Sequence, residues 1–307
     1  MKKKSFKPPV VLSIAGSDSG GGAGIQADIK TISANGAYAL TVITAITAQN
    51  TLGVQNISAV SPELIEDQLQ SVFEDFKIDS VKIGMLHNPQ STLVVSNLLK
   101  KFKPKFVVLD PVMVSSSGTR LVTLENTEAM IENLFPICDL ITPNFDETIS
   151  FLSTERNYMR LLKKIKRDSD NKEFLDLVKE CAISIIKMGA NNIFITGIFL
   201  DKLVFSENCN NQSNHRKKNL LDVLYANSIF TLFEKKKIFS KNTHGTGCTL
   251  SSAIAASFAL GKNMIEAVDF SQKYVYECIR SAKDIEFGTG TGPINHNYSP
   301  HCLKILN

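Results

Sequence analysis

The 307-residue sequence contains no C-x-x-C pair. Its six cysteines (138, 181, 209, 248, 278 and 302) are scattered, and the nearest two, Cys278 and Cys302, stand 24 positions apart. That excludes a zinc ribbon or a dithiol redox motif, and a chain this large needs no disulfide framework, so a reduced, cytoplasmic setting is expected. No run approaches the ~18 apolar residues of a membrane span, so no membrane partner is expected. The start, MKKKSFKPPVVLSIAGSD, couples a basic beginning to an apolar run too short for a signal peptide. It breaks into Gly16 and Asp18 and reads as a strand. Charge of one sign is also lacking: 34 Lys and Arg against 30 Asp and Glu leave a net +4. The positive residues sit in Lys-rich and Asn-rich segments rather than in a basic stripe interleaved with aromatics, so nucleic acid is not an expected partner. Neither G-x-G-x-x-G nor G-x-x-x-x-G-K-[ST] occurs, which removes the dinucleotide fingerprint and the Walker loop. Gly16-Ser17-Asp18-Ser19-Gly20 misses the serine-hydrolase elbow, because Asp stands where the nucleophile belongs. There is no internal repeat.

What is present has the rhythm of an α/β enzyme. Apolar runs at 10–15, 38–48, 80–85, 105–110, 140–143 and 192–198 read as strands buried on both faces. Between them, IQADIKTISANG, PELIEDQLQSVFEDF, STLVVSNLLKKF and TLENTEAMIENLF have helical spacing. Pro62 after Ser61 suits a first helical position, and Gly36 suits a C-terminal stop. The alternation predicts one domain over 1–307, with a mostly parallel central sheet flanked by helices on both faces. Residues 153–180 are expected to form a Lys-rich, exposed helical insertion, and 206–219 a polar loop. Residues 220–240 read as short antiparallel strands, followed by two helices within 248–282.

Two glycine-rich turns carry the first functional signal. Four glycines within Gly20–Gly24 exceed what a turn needs, which points to close approach of backbone to a ligand or to a flap. In NTHGTGCTLSSAIAASFALG, Gly245, Thr246 and Gly247 open a helix and Cys248 sits on its first turn. Backbone N–H groups at such a mouth can hold a phosphate, and a cysteine there is expected to have a stabilised thiolate. The plainer reading is a tight turn and a packed thiol. In LITPNFDE, Asn144 and Glu147 follow a strand end at i and i+3, and Asp110 closes VVLDP. Two carboxylates at strand ends suit Mg²⁺ shared with phosphates, against the plainer reading of an N-cap and a first-turn acid.

Together, AGSDSGGGAGIQADIKT, ITAQNTLGVQ, KIGML, LDPVMVSSSG, TPNFDE and KNTHGTGCTLSSAIAA resemble the hydroxymethylpyrimidine/phosphomethylpyrimidine kinases of thiamine biosynthesis, within the ribokinase-like superfamily. The likeness spans roughly 10–150 and 190–295. The resemblance implies ATP-dependent phosphorylation of 4-amino-5-hydroxymethyl-2-methylpyrimidine and then of its monophosphate, with ATP and Mg²⁺ as cofactors. It implies that Gly245, Thr246 and Gly247 form the anion hole and that Cys248 replaces the usual catalytic Asp. By the same likeness Asn144 and Glu147 belong to an N-x-x-E element that organises Mg²⁺ and phosphates, joined by Asp110. Gly16, Asp28, Gln49, Met85 and Val112 match positions around the pyrimidine. Thr196 stands where many relatives carry a Lys that reaches the nucleotide phosphates; Thr occurs in pyridoxal-type members. A homodimer is the expectation from relatives. Two other readings stay open at this point: a pyridoxine or pyridoxal kinase on the same scaffold, and a vitamin- or nucleotide-binding regulator without turnover.

Overall fold

Strand β1 (Val10–Asp18) is buried at every position except Ser17, as a strand covered on both faces must be. In the computed structural model, which describes residues 7–113, 122–153, 171–200 and 219–306, it lies within a nine-stranded sheet. The other strands are β2 (Tyr38–Asn50), β3 (Gly53–Ala59), β4 (Ser80–Ile83), β5 (Val107–Leu109), β6 (Leu140–Ile141), β7 (Ile193–Leu200), β8 (Asn219–Ala226) and β9 (Ile229–Lys236). Their order is β3-β2-β1-β4-β5-β6-β7-β8-β9. The strands from β2 to β7 pair in parallel, and β3, β8 and β9 add antiparallel edges. The chain leaves β1 for β2 on one side and returns to β4 on the other. That reversal opens a crevice at the C-terminal strand ends, where ligands of open α/β sheets bind.

Helices α1 (Gly24–Ala34), α7 (Thr246–Ala259) and α8 (Met264–Ala282) cover one face around Ile32, Ile254 and Val268. Helices α2 (Pro62–Asp75), α3 (Pro89–Phe102), α4 (Leu124–Asn133), α5 (Phe145–Leu152) and α6 (Asn171–Lys187) cover the other around Ile65, Val95, Phe151 and Val178. The caps follow the sequence signals. Ser61 accepts from Leu64 N–H ahead of Pro62, and Asn144 and Glu147 form a reciprocal capping box. No helix among the described residues is long and apolar enough to cross a membrane.

Strand β3 has no counterpart among the strands expected from the sequence. It is mostly exposed, with no apolar alternation to announce it, and exists because β2 offers it a free edge. The antiparallel pair expected in 220–240 is present, and its Asn227-Ser228 turn has positive φ at both residues, the geometry that suits strand twist. That pair extends the main sheet rather than forming a separate unit. Of the insertion expected at 153–180, α6 accounts for the part from Asn171, while 154–170 and the loop 206–218 lie outside the described residues.

Candidate active site

A cavity of about 250 Å³ opens at the crevice. The end of β1 contributes Gly16, Ser17 and Asp18, and β2 contributes Thr47 and Gln49. The segments after β4, β5 and β6 bring Met85, then Asp110 and Val112, then Asn144 and Glu147. Thr196 comes from β7, and Thr243 through Cys248 come from the turn into α7. Twelve of the thirteen residues singled out from the sequence thus face one space. The exception is Asp28, expected near the pyrimidine. Its side chain is fully buried on α1, behind the wall, where it accepts from Ser13 (2.5 Å), Ser252 (2.7 Å) and Lys82 (2.9 and 3.0 Å). With its oxygens so engaged and no face on the cavity, it is a support and not a ligand contact.

The two glycine-rich turns meet. Gly245 caps α7 with φ +84°, and a Cβ there would fall 1.8 Å from the carbonyl oxygen of Gly22. The flap is tied down by Asp18, whose carboxylate accepts from the N–H groups of Gly20 (2.8 Å), Gly22 (3.0 Å) and Ala23 (2.8 Å). His244 Nε2 lies 2.9 Å from the same carboxylate. Burial raises the Asp18 carboxyl, but the His244 contact and these N–H donors outweigh it and hold it below the usual range. Neither Asp18 nor His244 was singled out from the sequence. An acid ahead of a glycine run and a histidine ahead of a glycine turn were the available signals, but they are 226 residues apart.

The Gln49 amide lies 3.1 Å from Thr47 Oγ1 at one end and 3.2 Å from His244 Nε2 at the other. Thr47 has one hydroxyl proton and is also 2.9 Å from the Ser17 carbonyl, which can only accept. His244 Nε2 must carry its proton toward Asp18. The single protons of Thr47 Oγ1 and His244 Nε2 each have another acceptor, Ser17 O and the Asp18 carboxylate, so the Gln49 amide keeps both donor and acceptor capacity for a ligand.

Cys248 is partly exposed to the cavity, yet its thiol does not have the stabilised charge expected of a helix mouth. Burial pushes it up to about 12; the Lys82 ammonium opposes this, while Asp110 and Asp28 add to it. Lost hydration is the largest cause, and the two carboxylates act in the same direction. In the ligand-free protein the group is a thiol.

Asp110 and Glu147 behave as a crowded pair. Asp110 Oδ2 accepts the Ser251 hydroxyl at 3.0 Å, and Oδ1 accepts no hydrogen bond among the described residues. Glu147 accepts from Asn144 N–H at 2.8 Å and Met113 N–H at 3.3 Å, so the plain capping role is present as well. Burial, then repulsion from Asp110, pushes Glu147 up to about 8. Burial likewise raises Asp110, opposed by Lys82. A carboxyl raised on folding stabilises the protein below its unfolded value, near 4.5, and that contribution is lost as pH climbs toward about 8. Glu147→Gln is therefore expected to flatten the decline in melting temperature between those limits, measured with chelator present. The difference from the parent should reach the order of a few kcal/mol at the upper end. Parallel melting curves would show that Glu147 titrates normally.

The family model for phosphomethylpyrimidine kinase matches residues 18–295. The chain belongs to the phosphomethylpyrimidine kinase family. The hydroxymethylpyrimidine/phosphomethylpyrimidine kinase of Rhizobium meliloti is 37% identical over 287 residues, covering 94% of this chain and 96% of that protein. The thiamine biosynthesis bifunctional protein ThiED of Geobacter sulfurreducens is 37% identical over 295 residues. The chain spans about half the length of this and the other bifunctional relatives it matches, 54% in this instance. Among solved structures, phosphomethylpyrimidine kinase from Clostridium difficile 630 superposes with TM-score 0.69 at 37% identity, covering 88% of this chain and 99% of that one. Pyridoxal kinase from Staphylococcus aureus in complex with pyridoxal superposes with TM-score 0.75 at 26% identity, covering 94% and 93%. The fold of this family member is ribokinase-like.

Proposed function

We infer that the protein transfers the γ-phosphoryl group of ATP to the alcohol of 4-amino-5-hydroxymethyl-2-methylpyrimidine, and then a second phosphoryl group to the monophosphate. The observation that carries this reading is the meeting of the Gly245–Cys248 turn and the Gln49 amide across one cavity. The turn presents backbone N–H groups at a helix start, which suits a phosphoryl group carrying charge. The amide offers a paired donor and acceptor, which suits an aminopyrimidine edge with its N–H beside a ring nitrogen. Met85 and Val112 supply apolar wall for the ring.

Phosphoryl transfer needs positioning and charge stabilisation more than covalent help from the protein. Gly245, Thr246 and Gly247 would receive the transferring oxygens, Cys248 would stand beside the attacking hydroxyl, and Asn144 and Thr196 would face the nucleotide. Among the described residues no three His, Cys, Asp or Glu side chains converge as a metal cage. Two buried, mutually repelling carboxylates, one oxygen of which accepts no hydrogen bond among the described residues, do suit a hard divalent cation completed by phosphate and water. Asp110 and Glu147 would hold Mg²⁺, which would supply positive charge to the phosphates.

The likeness to pyridoxal kinases and the presence of Thr196 support a second reading, phosphorylation of a vitamin B6 alcohol. Purified protein with ATP should be given the pyrimidine, its monophosphate, pyridoxal and pyridoxine in parallel. Higher kcat/KM for the two pyrimidines supports the first reading, and higher kcat/KM for pyridoxal assigns the second. Tight binding with no ATP consumption would make the protein a regulator. In the same assay Gln49→Leu leaves pyrimidine edge groups unpaired at ~1–3 kcal/mol each. Pyrimidine affinity is then expected to fall about tenfold or more, with ATP affinity little changed. Equal pyrimidine affinity by titration calorimetry would remove Gln49 from the site.

A further inference from the structure

Lys82, on β4, is among the largest fully buried side chains of the described residues, and hydrophobic packing does not call for an ammonium there. Its Nζ contacts both oxygens of Asp28 at 2.9 and 3.0 Å. Adjacent serines on the second turn of α7 tie this pair to the cavity. Ser252 Oγ donates to Asp28 at 2.7 Å, while Ser251 Oγ donates to Asp110 at 3.0 Å. The ammonium also lies at the back of the cavity wall. A Cβ on Gly84 would sit 2.7 Å from Nζ and 3.1 Å from the Cβ of Ala15, and Ala15 lines the cavity. Neither Lys82 nor Asp28, on α1, lines the cavity itself. The Lys82 side chain thus runs along β4 past Gly84, and its ammonium sits behind the cavity wall beside Ala15.

We propose that the Lys82–Asp28 pair is a fixed source of field behind the cavity wall, and that Lys82 is a positioning residue that acts through this field on negative charge developing in the site. Inside a protein such a fixed pair needs no reorganisation when charge appears. Asp28 holds the ammonium charged despite burial, well above the ordinary lysine value. The influence on Cys248 has the same sense: Lys82 acts on that thiol more strongly than Asp28 does. A buried ion pair is a poor stabiliser compared with apolar residues of similar size. Its presence behind the site therefore fits a role in the field better than a role in stability.

The test replaces the pair by Lys82→Met with Asp28→Asn, which keeps net charge and volume; the asparagine oxygen accepts from one of Ser13 and Ser252, and its NH2 donates to the hydroxyl oxygen of the other. The expected result is an unchanged or higher melting temperature, an unchanged KM for the pyrimidine and a kcat lower by ~10-fold or more. The turnover arm rests on the kinase reading; a second arm does not. With Cys209 and Cys302 replaced by Ser, Cys248 is cyanylated, and the nitrile stretching frequency is compared with and without the pair. A shift of the nitrile band is expected, since the probe reads the field directly. An unmoved band overturns the proposal whatever the substrate proves to be. An unmoved kcat in a protein that does phosphorylate pyrimidine overturns it also. If the Met/Asn pair does not fold, Lys82→Gln with Asp28→Asn supplies a hydrogen-bonded neutral pair for the same two measurements.

Discussion

Cys248→Ala is expected to slow phosphorylation of the hydroxymethyl alcohol by ~10²–10⁴-fold, the usual worth of a positioned base, and to slow the second transfer much less. The asymmetry comes from the acceptors. A primary alcohol must lose its proton as it attacks, whereas a phosphate acceptor is already ionised near neutral pH. Cys248 stands on the first turn of α7, on the cavity wall, beside the turn proposed to hold the transferring group. In the ligand-free protein its thiol is pushed up to about 12, so it is not charged in advance. Base action at neutral pH therefore requires that bound substrates change its surroundings. Iodoacetamide should accordingly react slowly with Cys248 in the empty protein. Each transfer is measured separately in the variant. An equal loss in both would assign Cys248 to shaping the pocket, and no loss in either would leave it a packed thiol.

Gly245→Ala should be more damaging still, and for a different reason. The φ of +84° disfavours any side chain, at about 1–3 kcal/mol. The added Cβ would also fall 1.8 Å from Gly22 O, an impossible contact. Relief requires moving the flap, which Asp18 holds through three backbone N–H groups. The expected outcome is a loss of about 3 kcal/mol or more in stability, together with loss of the anion hole and nearly all turnover. Gly247→Ala is the control. Its Cβ would meet Asp110 at an ordinary 3.7 Å and its φ is not positive, so its melting temperature should stay near the parent's. Similar melting temperatures for the two variants would show that the flap and turn separate without cost.

The alternation of buried strands and amphipathic helices was legible because it is local: β1, α2 and the Asn144 capping box each announce themselves within a dozen residues. The glycine turn opening α7 was legible on the same ground, since Gly245 sits where only glycine suits the backbone. Strand β3 was not, because an exposed edge strand owes its pairing to β2 and not to its own pattern. The two aspartates mark the boundary most sharply. Asp28 and Asp110 each follow apolar stretches, and nothing in their neighbours in sequence distinguishes a cavity acid from a buried one. The fold decides, by placing Asp110 at a strand end in the crevice and Asp28 on the inward face of α1 against Lys82, 54 residues away. The same holds for Cys248. Its place at a helix mouth can be read from the sequence, but its proton affinity is set by burial and by charges on three other segments, which come together only in the folded chain.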